Sequence, residues 1–177
     1  MAAMRTHVRV SESGESPFAV HIHAGSHVLA GDEPVSAGGG GLGPTPFELL
    51  SAALAECTAM TVRWFARARG WPVEHIEVVV DHRKKLLVGH SDPVDVFNKT
   101  LTILSPALTV EQRARLHKVA EKCPVHRVLQ GMHLITSRTS EESDETITAA
   151  GDEGARSASS ASNVRSPSLK SSKPGAT

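Results

Sequence analysis

Residues 45–70 constrain the fold more than any other stretch of the chain. Thr45-Pro46-Phe47-Glu48 places a hydroxyl where a helix N-cap belongs, a proline at the first helical position and a carboxylate three residues after the cap. That is a capping box with a proline start. The helix is predicted to run to about Arg69 and to stop at Gly70, with Pro72 just beyond. Leu50, Leu54, Cys57, Thr61, Trp64 and Phe65 recur at steps of three and four, which puts them on one broad face, while Ala52, Ala53 and Ala55 keep the other faces small. A helix this long, with so little charge in its first half, is expected to be buried on most sides by its own domain and by a second subunit.

Strand signals flank this helix in groups. His7–Val10, Phe18–His23 and Ser26–Ala30 are short and alternating, as in an antiparallel meander with one wet face. Ser36 to Gly43 holds five glycines and reads as a flexible loop. It lacks the strand–GxGxxG–helix context and the following acidic residue of a dinucleotide site. After the helix, Ile76, Val78, Val80 and His82 alternate on one face of a strand, and Phe97, Lys99, Leu101 and Ile103 on one face of the next, with a turn over Gly89–Pro93. A second capping box, Thr109 with Gln112, starts a helix that carries Leu116, Val119 and Ala120 inward and ends near Cys123, because Pro124 disfavours helical geometry before it. A helical turn over Val125–Gln130 and a last strand over His133–Ser137 complete the order βββ-α-ββ-α-β. Strands grouped in this way define an α+β fold and exclude a doubly wound parallel sheet.

The domain is expected to span residues 1–139. From Ser140 to Thr177 the composition turns to Ser, Ala, Gly and charge without apolar periodicity, which predicts a disordered tail. The 177-residue chain has formal net charge +0 and a pI near 7.2, so its balance favours neither nucleic acid nor anionic lipid. The N-terminus has no apolar run of the signal-peptide kind and no segment is apolar enough to cross a bilayer; a cytoplasmic location is expected. With Phe 4, Trp 2 and Tyr 0, the core must rest on Leu, Val, Ile and Ala.

The candidate chemistry centres on the two cysteines, Cys57 and Cys123. A free cysteine is most often a small buried hydrophobe. In a reducing compartment, two thiols set in or beside helices also suggest a redox couple. Cys57 lies in mid-helix, far from any helix N-terminus, so another group must lower its pKa; Arg63, Arg67 and Arg127 are the candidate cations. Cys123 leads into a new helical turn whose unpaired N–H groups favour a thiolate, and His126 stands close by in sequence. Two cysteines are too few for a zinc tetrad, and the spacing is not CxxC. Glu48 serves the capping box and is also able to polarise a peroxide or orient an arginine. His21-x-His23 places two imidazoles on one strand face, but no third or fourth metal ligand is apparent; His82 reads as a hydrogen-bonded or surface histidine.

Gly43-Pro44-Thr45-Pro46-Phe47-Glu48-Leu49-Leu50, Ala55-Glu56-Cys57-Thr58-Ala59-Met60-Thr61-Val62-Arg63 and Glu121-Lys122-Cys123-Pro124-Val125-His126-Arg127 together resemble the OsmC/Ohr family of thiol-dependent peroxidases, over about residues 18–138. Gly31-Asp32-Glu33-Pro34 and Gly70-Trp71-Pro72 resemble its OsmC-like branch. The resemblance implies an intertwined α+β homodimer, antiparallel sheets packed on two main helices, and a role in oxidative stress defence without a bound cofactor or metal. It implies that Cys57 attacks an organic hydroperoxide, that the sulfenic acid formed condenses with Cys123, and that a dithiol, in the family often a lipoylated protein, reduces the disulfide. Where the best-studied branches place a glutamate directly after the proline, this chain has Phe47, with Glu48 one place later, and the segment Phe18–Leu29 contains no arginine. Arg127 or Arg63 is therefore expected to activate Cys57. Two other readings of the same residues are a thiol redox sensor or small-molecule binder without turnover, and a structural domain with inert cysteines.

Overall fold

The computed structural model describes residues 6–89, 91–131 and 133–139. The chain divides into two units, Met1–Leu134 and Ile135–Thr177. Among the described residues the regular elements lie in the first: β1 (Val8–Glu12), β2 (Val20–Ala24), β3 (His27–Gly31), a 3-10 turn (Val35–Ala37), α1 (Pro46–Ala68), β4 (His75–Lys85), β5 (Val94–Leu104), α2 (Val110–Ala120) and α3 (Pro124–Gln130). The expected tail from Ser140 onward lies outside the described residues.

Both sheets are antiparallel: a meander in the order β1-β2-β3 and a hairpin of β4 with β5. The class is α+β, as the grouped strands predict.

The two capping boxes are formed as the sequence requires. Thr45 Oγ1 accepts from Glu48 N, and the Glu48 carboxylate accepts from Thr45 N. Thr109 and Gln112 do the same at the start of α2. These reciprocal bonds satisfy donors that a bare helix end would leave open.

The core lies where the second half of α1 and α2 meet the β4–β5 hairpin. Val62, Phe65, Ala66, Ile103, Leu116, Val119 and Ala120 form it, with Trp71, Ile76 and Leu101 packed around. Leu116, Val119 and Ala120 are the inward residues of α2, and the expected alternation of β4 and β5 is observed.

On α1 the buried stripe differs from the expected one. It comprises Leu54, Thr58, Val62, Phe65 and Ala66, and Trp64 is 71 % exposed. The stripe is centred one residue on from Cys57 and Thr61, a rotation of about 100°, so α1 is less covered by its own chain than its low charge suggests.

Two further expectations are corrected. The Ser36–Gly43 loop is tied down. The buried Asp32 carboxylate accepts from Ser16 Oγ, Glu33 N, Gly40 N and Leu42 N, while Gly39 N and Gly41 N bond to the carbonyls of Pro34 and Glu33. A Cβ on Gly39 would lie 2.0 Å from the Glu33 carbonyl oxygen, so close packing alone requires glycine there. The predicted final strand, His133–Ser137, is absent: residues 133–139 have no regular structure, and Leu134 is 90 % exposed. Its apolar alternation finds no sheet edge in the described residues to supply ladder bonds, and without them a strand does not form.

Candidate active site

α2 stops at Ala120, three residues short of Cys123. Glu121 and Lys122 form a turn, and Cys123 becomes the N-cap of α3, with Pro124 at its first position. The Cys123 Sγ accepts from His126 N at 3.2 Å and from the Thr58 hydroxyl at 3.5 Å. The local sequence thus sets the cap, and the inward face of α1 supplies the second donor.

Cys57 sits one residue from Thr58 on α1 and meets Cys123 across the contact between α1 and α3. Both thiols are free. Cys123 is 0 % exposed and Cys57 only half-buried, so of the two sulfurs only Cys57 is open to a molecule arriving from solvent.

The surroundings drive the two thiols apart in acidity. Burial raises the Cys57 thiol above its ordinary value, and the neighbouring Cys123 sulfur adds to the rise; donation from Val125 N–H and the Thr61 hydroxyl opposes it without prevailing. Burial also raises Cys123, but the Thr58 hydroxyl, the His126 N–H, the Cys57 thiol and the Lys99 charge together bring it below its ordinary value.

The other residues singled out in the sequence are placed elsewhere. The Arg63 guanidinium donates to the carbonyls of Val73 and Glu74 and clamps the connector between α1 and β4. Arg127 is exposed on α3, beside a shallow pocket with Pro124, Val128 and His133. Neither guanidinium is among the groups that shift Cys57.

Glu48 is exposed, and its bonds to Thr45 hold its carboxyl below the usual value. It precedes Cys57 by nine residues, about 13 Å along the helix and on its opposite side. With Phe47, Ser51, Val80 and His82 it lines a separate groove of about 470 Å3. There Phe47 stacks on His82 at 4.4 Å, and His82 Nε2 lies 2.8 Å from Asp95 Oδ1. His21 and His23 share the polar face of the first sheet; no group of three or more His, Cys, Asp or Glu among the described residues is placed to hold a metal.

The sequence does not single out Lys99 or Thr58, yet Thr58 donates toward the buried Cys123 sulfur and Lys99 stands behind it. Lys99 Nζ lies 3.2 Å from Thr58 Oγ1 and 3.3 Å from His126 Nδ1. The signal for Lys99 was a lysine at an inward position of an alternating strand. Thr58 carried none, because its burial follows from how α1 is rotated in the core.

A long helix presenting a half-open thiol to a buried, capped thiol, on an antiparallel α+β frame, defines a two-thiol protein of this architecture. The chain belongs to the OsmC-like protein family, whose model matches residues 38–137, more than half of its length.

Among solved structures it is similar to an OsmC-like protein from Mycoplasma pneumoniae, with a TM-score of 0.60, 20% identity, and coverage of 74% of this chain and 90% of that one. It is also similar to an organic hydroperoxide resistance protein OsmC from Legionella pneumophila (TM-score 0.56, 19% identity, 74% and 93% covered). The organic hydroperoxide resistance protein OhrB of Bacillus subtilis gives a TM-score of 0.51 at 23% identity, with 72% and 92% covered. Identities this low establish the shared fold. No curated protein matches the chain. No described helix is long and apolar enough to cross a membrane.

Proposed function

We propose that the protein is a cysteine-based peroxidase that reduces organic hydroperoxides through a Cys57–Cys123 disulfide. The observation that carries this reading is the pairing of an accessible sulfur with a buried one that accepts from the His126 N–H and the Thr58 hydroxyl. The Cys57 thiolate attacks the terminal oxygen of the hydroperoxide, the O–O bond breaks, and the alkoxide takes a proton and leaves as the alcohol. Cys57 is then a sulfenic acid. The Cys123 thiolate displaces hydroxide from it, which leaves as water after protonation, and the disulfide formed protects Cys57 from further oxidation. A dithiol, of the kind a lipoylated protein carries, returns both sulfurs to thiols by exchange.

The active unit is proposed to be a homodimer. Val8, Val10, Val20, Ile22 and Leu29 share one face of the first sheet, and Val10, Val20 and Ile22 of that face line an apolar cavity of about 410 Å3 with Phe18 and Pro46. Met60 and Trp64 stand exposed on α1. A second copy would cover such surfaces, and a monomer by light scattering would contradict this arrangement.

The raised Cys57 thiol favours a second reading, a redox sensor that forms the disulfide slowly and does not turn over. One experiment separates the two. The reduced protein is treated with one equivalent of cumene hydroperoxide and followed by intact mass and peptide mapping, then supplied with dihydrolipoamide and excess peroxide. Loss of two hydrogens within seconds, absent in Cys57→Ser, together with continued peroxide consumption, is the expected result. Disulfide formation without turnover would leave the sensor reading; no oxidation at either sulfur would sink both.

A further inference from the structure

Lys99 brings an ammonium into the partly buried contact of β5 with α1 and α3. Its Nζ donates to the Ala120 carbonyl at 2.8 Å, to Thr58 Oγ1 at 3.2 Å and to His126 Nδ1 at 3.3 Å. These three acceptors match the three N–H groups of an ammonium, and none is an anion. No carboxylate pairs with Lys99 among the described residues. A partly buried ammonium without a counter-charge is costly, so the site calls for a negative group nearby.

One group is able to supply that charge. The Thr58 hydroxyl has a single proton and two acceptors in reach, the Leu54 carbonyl at 2.8 Å and Cys123 Sγ at 3.5 Å. With Lys99 bound to its oxygen, the hydroxyl is polarised toward whichever acceptor carries charge.

We propose that the Cys123 thiolate is the counter-ion of Lys99, linked to it through the Thr58 hydroxyl, so that in the reduced protein the thiol pair keeps its negative charge on Cys123 and its proton on Cys57. Lys99 and Thr58 are positioning residues in this scheme. The use of that charge rests on the peroxidase reading. A proton passing from Cys57 to Cys123 would create the attacking thiolate. When the leaving alkoxide takes that proton from Cys123 and departs as the alcohol, the buried sulfur is again a thiolate, ready to displace hydroxide from the Cys57 sulfenic acid. The S–S bond then forms as the S–O bond breaks, with the hydroperoxide as oxidant. The opposed acidities of the two thiols agree with this placement of charge.

The test uses no peroxide, so its failure and the failure of the peroxidase reading are distinct. Thiolate absorbance near 240 nm is followed against pH in the full-length Cys57→Ser protein, alone and combined with Lys99→Met or Lys99→Arg. The groups facing Cys123 are residue 57 from α1, Lys99 from β5 and His126 from α3. The Cys123 midpoint is expected to lie below that of an ordinary thiol, to rise by about one unit or more in Lys99→Met, and to be restored at least in part by Lys99→Arg. If Lys99→Met unfolds, as circular dichroism would reveal, Thr58→Val and Thr58→Ser replace it, with a rise expected only in the valine variant. A midpoint that neither Lys99→Met nor Thr58→Val moves would overturn the assignment. So would an ordinary midpoint in Cys57→Ser itself. A low Lys99-dependent midpoint in a protein that consumes no peroxide would uphold it and reject the peroxidase.

Discussion

The β4–β5 hairpin and the β1–β2–β3 meander are written in the same alternating pattern but have different surroundings. The hairpin's inward residues meet α1 and α2, and Ile103 and Leu116 are sealed from solvent. The meander's apolar face opens onto a cavity, and Val10 remains 55 % exposed. Alternation selects which face of a strand is apolar; it does not say whether that face is covered by the same chain. The half of the molecule that is covered also holds the two thiols.

This contrast can be broken by measuring the cost of truncation in each half. Leu116→Ala, at a site that is 0 % exposed, is expected to cost about 2–5 kcal/mol in denaturant unfolding. Val10→Ala is expected to cost less than about 1 kcal/mol at low protein concentration. A Val10 loss as large as that of Leu116, growing with concentration, would mean that a second copy covers the meander in solution.

The next effect lies in the glycine loop that joins the meander to α1. Gly39→Ala forces a Cβ against the Glu33 carbonyl and is expected to cost about 1–3 kcal/mol. At Gly14 a Cβ meets nothing within 4 Å, but φ is +77°, so the loss there should be only the left-handed strain of about 1 kcal/mol. Equal losses would show that the loop yields and is not held by Asp32.

A smaller effect is expected from acid. Burial raises the Asp32 carboxyl, but bonds from Ser16, Leu42, Glu33 and Gly40 outweigh it and hold the group below its ordinary value of 3.8. A carboxyl lowered in the folded state stabilises above its unfolded value, and that stability is lost as pH falls through the folded one. The melting temperature should therefore drop between about pH 5 and pH 3, and less steeply in Asp32→Asn. Parallel slopes would remove Asp32 as the loop's anchor. A comparably modest change should come from Thr109→Ala, which removes half a capping box at about 0.5–2 kcal/mol. No loss at all there would mean that packing of α2 on the core, and not its cap, sets that helix's start.

The parts of this fold legible in the residues are those set by near neighbours. Thr45 with Glu48 and Thr109 with Gln112 are three apart, so their bonds close within one turn whatever surrounds them. The grouping of strands, the inward set on α2 and the placement of a cysteine ahead of Pro124 at a helix start were likewise readable. The glycine loop reads as flexible in the sequence because its anchor, Asp32, lies outside it. The His133–Ser137 alternation met no sheet edge among the described residues.

At the candidate site, the family motif pointed to Cys57 and Cys123, while the cations nearest in that reading, Arg63 and Arg127, are engaged with carbonyls or stand exposed. The cation beside Cys123 came instead from β5, in a different part of the chain. The residues therefore specified which segments become helix or strand, which faces are apolar and which atoms are reactive, because these follow from local geometry and side-chain chemistry. The order of exposure of the two sulfurs, the rotation that buries Thr58 in place of Cys57, and the meeting of Lys99 with Cys123 arise only when helices and hairpin pack. Burial and charge proximity are properties of the packed arrangement, and no spacing along the chain encodes them.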